Sequence, residues 1–249
     1  MSEFDLLVDL HKNNRRQGPG SIRVTERAIE LTGLKARKNL EIADIGCGTG
    51  DQTITLARLL HGKITAVDIF PDFLEELSAR SSANGLAKRI RALQASMDNL
   101  PFGDNIFDLI WSEGAVYIMG FEKGISQWRR HLKTGGILAL SEITWTTDSR
   151  PEKLEQLWAR ECPEINTVWG NLELLVSNGY EPVSQFILPQ NCWTENYYLP
   201  LQKSYKSFLD RQEHSQEAIE LVESYKIEFE MYKKFRQYYS YGFYIARKQ

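Results

Sequence analysis

The chain of 249 residues is about one and a half typical domain lengths, enough for a single large domain (1–249) with a sizeable core. Hydrophobic residues at 42% and charged residues at 25%, with 17 glycines and 8 prolines, exclude disordered, collagenous and low-complexity classes. The formal charge of −3 provides no whole-molecule positive field for nucleic acid or anionic lipid, so neither is expected as a partner.

In chain order, residues 1–35 hold a helical stretch, the bend Gln17-Gly18-Pro19-Gly20-Ser21, and a second helix beginning near Thr25. This segment is read as a helical lid. Its opening apolar stretch has charges on both sides and reads as neither secretory signal nor membrane anchor, and no other window of membrane length is apolar. From residue 40 short apolar runs alternate with amphipathic stretches, the pattern of βα units on a parallel sheet. Strands are expected at 40–45, 63–68, 90–95, 106–112, 136–142, 182–188 and 239–247, with helices at 52–60, 71–84 and 120–132. Asn84-Gly85, Thr134-Gly135-Gly136 and Asn178-Gly179 are expected to end helices at a left-handed residue. Residues 189–238 are too long for an ordinary connection and read as a helical insertion. In it Ala218, Leu221, Val222, Tyr225, Phe229 and Tyr232 recur at helical spacing, a stripe expected to pack on the body of the fold. The three cysteines, Cys47, Cys162 and Cys192, are widely spaced, which argues against a disulfide framework or a metal cluster. A cytoplasmic protein without a metal is expected.

The most informative segment runs Leu40-Glu41-Ile42-Ala43-Asp44-Ile45-Gly46-Cys47-Gly48-Thr49-Gly50: an apolar strand, a glycine turn, then a helix. Glycines there let the backbone approach a ligand at the carboxyl edge of the sheet. A second apolar strand ends in Asp68, placed to accept ribose hydroxyls. The loop is G-x-G-x-G with an acid two residues before it, rather than the dinucleotide G-x-G-x-x-G, which disfavours a nicotinamide-dependent dehydrogenase. This arrangement resembles the first motif of class I S-adenosylmethionine-dependent methyltransferases. Leu100-Pro101-Phe102 with Asp104-Asn105-Ile106-Phe107-Asp108, and Leu132 to Leu138, are similar to the small-molecule members related to the quinone-biosynthesis C-methyltransferases.

The resemblance implies an α/β, Rossmann-like, seven-stranded, mostly parallel sheet with an antiparallel last strand and helices on both faces. It implies S-adenosyl-L-methionine as cofactor and S-adenosyl-L-homocysteine as product. Gly46, Cys47, Gly48 and Gly50 would lie against its methionine and ribose parts, with Gln52 opening the next helix. Asp44 would sit near the methionine ammonium, Asp68 at the ribose and Ile69 on the adenine. Ser96 stands where the family carries an acid for the adenine amino group, Met97 offers its backbone amide, and Asp98 is a substitute for the missing acid. Gln17, Gly18 and Ser21 would close over the methionine end, and Ser112 and Glu113 complete the cofactor set.

The acceptor is expected beyond the fourth and fifth strands, near Tyr117, Glu142, Thr144 and Trp145. Glu113, with Trp111 and Tyr117 nearby, is the first candidate for a general base with a raised pKa, and Tyr117 joins it as a catalytic candidate. An anchoring or helix-capping role for Glu113 stands beside that one, and Glu142 is read as a surface or capping carboxylate. Trp193, Tyr197 and Tyr198 offer flat walls for a substrate, or complete the core. His11 is expected to face the site, and His61, His131 and His214 to be solvated. The Asn/Asp-Pro-Pro-aromatic sequence of base-methylating enzymes is missing. The expected function is methyl transfer to a small organic acceptor; a non-catalytic binder of S-adenosylmethionine or S-adenosylhomocysteine is the alternative, and a homodimer remains open.

Overall fold

The computed structural model describes residues 3–249; residues 1 and 2 of the expected lid lie outside them. The strands are β1 (Leu40–Ile45), β2 (Gly62–Asp68), β3 (Ile90–Gln94), β4 (Phe107–Glu113), β5 (Leu132–Trp145), β6 (Asn166–Thr167), β7 (Tyr180–Ile187) and β8 (Tyr239–Lys248). They form one sheet of order β3-β2-β1-β4-β5-β8-β7, with β6 pairing β5 off that path. β8 runs antiparallel to β5 and β7, and the other pairings are parallel. The sheet thus has eight strands where seven were expected. The extra one is the two-residue β6, too short to carry any hydrophobic period.

Helices α1 (Glu3–His11) and α2 (Ile22–Thr32) precede the sheet, and α3 (Asp51–Leu59), α4 (Pro71–Ala83) and α5 (Phe121–Arg129) connect its strands. Ser21 caps α2, its hydroxyl accepting from the Val24 amide at 3.2 Å. α5 stops at Arg129, short of the expected end. Thr134-Gly135-Gly136 therefore ends no helix: it lies inside β5, where Gly135 takes φ 73° and the register with β4 shifts between Phe107 and Leu109. α6 (Glu152–Glu161) and α7 (Val168–Ser177) fill the stretch before β7. α6 buries only Leu154, so its apolar period in the sequence is faint. The insertion is helical as expected: a π-helical turn at Thr194–Tyr198, then α8 (Leu199–Arg211) and α9 (Gln216–Phe235).

Parallel strands covered on both faces are buried along nearly their whole length, as β1 and β4 are. One face of the sheet packs Ile42, Leu109, Trp111 and Ile143 against α1, α2 and the insertion. The other packs Ile45, Ile110, Leu138 and Leu140 against α5 and α7. The chain reverses direction across the sheet between β1 and β4, which opens a crevice at their carboxyl ends.

Candidate active site

A cavity of about 670 Å³ occupies this crevice and runs from the glycine turn to the insertion. The turn is tied to the neighbouring strand, with the Gly46 and Cys47 amides donating to the Val67 carbonyl at 2.8 and 2.9 Å. Gln52 supports it from behind, its Nε2 donating to the Cys47 carbonyl at 3.0 Å. Asp68 is oriented by two backbone amides, Gly48 to Oδ2 at 2.8 Å and Phe70 to Oδ1 at 3.0 Å. Burial raises its pKa while those donors lower it. Each oxygen keeps lone-pair capacity for a further donor. Ile69, 54% exposed, stands at the same rim. Burial also pushes the Cys47 thiol well up, so it meets a ligand as a neutral group.

The segment between α1 and α2 is fastened onto this turn. Gln17 Oε1 accepts from the Thr49 amide at 2.9 Å, and its Nε2 donates to the Asn14 carbonyl and Thr49 Oγ1, both at 3.1 Å. Arg16 is buried and pairs with Asp51 (2.9 Å) and Glu113 (2.7 Å). Glu113 also accepts from Thr25 Oγ1 at 2.7 Å and Trp111 Nε1 at 3.0 Å. Its two oxygens are therefore engaged by a cation and two further donors, an arrangement that ties β4 to the N-terminal segment.

The far half of the cavity is walled by Trp158, Trp193, Tyr197, Tyr225, Tyr239 and Tyr241. Trp158 meets Tyr239 edge-on at 4.9 Å, and Trp193 lies 5.3 Å from Tyr241. His11 also lines this half, stacked on Tyr197, with its Nε2 2.8 Å from the Tyr225 hydroxyl. Burial pulls its pKa down to about 4, so the ring is neutral. Tyr117 and Ile118, 45% and 66% exposed, also line the cavity.

The profile of the family described as "Methyltransferase domain" matches residues 42–136, the segment from β1 into β5 that carries the glycine turn and Asp68. Residues 42–136 are thus similar to a methyltransferase domain. Over 151 residues the chain is 32% identical to a ubiquinone/menaquinone biosynthesis C-methyltransferase of Stutzerimonas stutzeri, covering 59% of this chain and 56% of that one. It is 30% identical over 154 residues to an uncharacterized methyltransferase of Bacillus subtilis, covering 60% and 64%. The chain thus spans less than two thirds of the length of these relatives. In fold it is similar to a SAM-dependent methyltransferase from Geobacter sulfurreducens solved with S-adenosyl-L-homocysteine, with TM-score 0.83, 20% identity and 98% of both chains covered.

Within the matched segment the structure brings Gly46, Cys47, Gly48, Gln52, Asp68, Ile69, Ser96 and Met97 to one cavity. Gln17, Gly18, Glu113 and Tyr117 join them. Four expected cofactor residues stand elsewhere. Asp44 is fully buried behind the turn, accepting from Thr53 Oγ1 at 2.5 Å, and burial pushes its pKa up to about 7. Gly50 faces α4, where an added Cβ would lie 2.1 Å from Leu77 Cδ1; its φ of 86° serves the start of α3. Ser112 is buried within β4, and Asp98 is fully exposed, accepting from Ser96 Oγ at 2.5 Å. Ser21 caps α2 rather than covering the cavity, and Tyr198 is buried behind Tyr197. Two further readings change: His131 is buried, its Nδ1 2.9 Å from the Gly103 carbonyl, and Glu142 is buried in β5 rather than on the surface. Arg16, Glu161 and Glu228 went unremarked in the sequence, because charged side chains on amphipathic segments look solvated.

Proposed function

We propose that the protein transfers a methyl group from S-adenosyl-L-methionine to a small organic acceptor. The observation that carries this is the single cavity joining the glycine turn and Asp68 to an aromatic chamber. The residues present fit the cofactor. Asp68 offers a carboxylate fixed by two amides for the ribose hydroxyls, and Ile69 an apolar face for adenine, both beside the glycine turn on the same cavity. Named relatives that carry methyltransferase descriptions over the same segment support the reading.

When bound, S-adenosylmethionine supplies an activated methyl on a sulfonium. The protein's part is to align an acceptor with it and to exclude water. Gln17 and Arg16 hold the N-terminal segment against the turn, and the aromatic chamber of the same cavity holds the acceptor. No described helix is long and apolar enough to cross a membrane. A cytoplasmic location, suited to three free buried thiols, and a homodimer belong to the same proposal.

Incubation with methyl-labelled cofactor and a metabolite extract tests the reading. Label in a small-molecule product is the expected result. Cofactor binding with no transfer to any acceptor would make the protein a binder instead.

A further inference from the structure

Glu228 on α9 and Glu161 at the end of α6 both line the aromatic half of the cavity. The Tyr198 hydroxyl donates to Glu228 Oε1 at 2.6 Å, which fixes that carboxylate from behind. Among the described residues neither glutamate forms an ion pair. Arg16 is the one basic side chain on the described cavity wall, and Asp51 and Glu113 already neutralise it at the cofactor end. His11 lines the chamber as a buried residue whose Nδ1 has no partner. Both carboxylates are solvent-exposed on the cavity wall, and a cation placed between them and the ring faces gains their attraction together with that of the aromatic walls.

We propose, on the methyltransferase reading above, that the acceptor is an organic amine which enters as its ammonium form, its cationic nitrogen held by Glu228 and Glu161 and its apolar body by the aromatic walls. An anionic acceptor is excluded by the same two carboxylates. Burial, with a smaller contribution from the Glu161 charge, raises the Glu228 pKa against the pull of Tyr198, which suits it to take a proton. The ammonium gives one proton to the Glu228 carboxylate, and the freed nitrogen lone pair forms the N–C bond. The C–S bond breaks with its electron pair going to sulfur, S-adenosylhomocysteine leaves, and Glu228 returns its proton to solvent.

Three ligands of matched shape test this by calorimetry: 2-phenylethylamine, 2-phenylethanol and 3-phenylpropionate, each titrated with and without S-adenosylhomocysteine. The amine is expected to bind about tenfold or more tighter than the alcohol, and the carboxylate weakest. Glu228→Gln and Glu161→Gln, two variants in case one fails to fold, are expected to erase most of that preference while the alcohol's affinity stays unchanged. Equal binding of amine and alcohol, binding of none of the three, or a preference that survives both substitutions would overturn the proposal. Because the trio is also titrated without S-adenosylhomocysteine, charge selection is read separately from cofactor binding, and failure of the cofactor itself to bind would count against the methyltransferase reading instead.

Discussion

Arg16 Nη1 donates to Glu113 Oε2 at 2.7 Å, across side chains only 6% and 3% exposed. This pair joins the segment before the fold's first strand to the carboxyl end of β4. A buried pair broken on one side leaves an uncompensated charge, so Arg16→Met is expected to destabilise the protein by about 3–5 kcal/mol. Replacing Glu113 by Gln in that background should return part of the loss, measured as urea-unfolding midpoints in a double-mutant cycle. Additive effects would mean that the two side chains do not depend on each other. The pair also makes the segment more than a detachable lid, since Leu6 and Leu10 belong to the core.

A second expectation concerns the glycine turn. A Cβ on Gly48 would stand 2.2 Å from Gln17 Oε1, at φ +53°. The obstacle is the amide of Gln17, not the approaching ligand. Gly48→Ala should therefore break the Gln17 to Thr49 bond and cost about 1–3 kcal/mol of stability through clash and backbone strain. Adding Gln17→Ala removes the clash and should recover some of that loss but not the strain. Thermal unfolding of the three variants decides it, and a Gly48→Ala protein as stable as wild type would show that the turn tolerates a side chain.

The third concerns pH. Burial raises the Glu142 carboxyl from 4.5 to about 8, with the Glu164 charge adding to the shift and the Ile143 amide opposing it. Between those values the folded protein keeps a proton that the unfolded chain has released, so stability falls as pH rises from 4.5 to about 8. Glu142→Gln removes that dependence. The variant's melting temperature should gain on wild type steadily across this window, and a constant difference at every pH would contradict the assignment.

What the sequence made legible was local. Gly46, Gly48 and Asp68 lie at the ends of two adjacent apolar strands, and the spacing alone places them together. Asp44 and Gly50 belong to the same motif but serve the turn's packing, a distinction that depends on Thr53 and on Leu77 from another helix. Arg16 was hidden because its partners lie 35 and 97 residues away. Glu161 and Glu228 were hidden for a different reason: they are exposed like the other carboxylates of their helices, and only their place on the cavity wall distinguishes them.

The central claim is that Asp68 and the glycine turn hold S-adenosylmethionine, and calorimetric titration of S-adenosylhomocysteine into wild type and Asp68→Ala tests it most directly. Wild type should bind at one site. The variant should lose about 1–3 kcal/mol of binding free energy, because hydroxyl donors lose a charged acceptor. No binding to wild type, or equal affinity in a folded Asp68→Ala protein, would contradict the account.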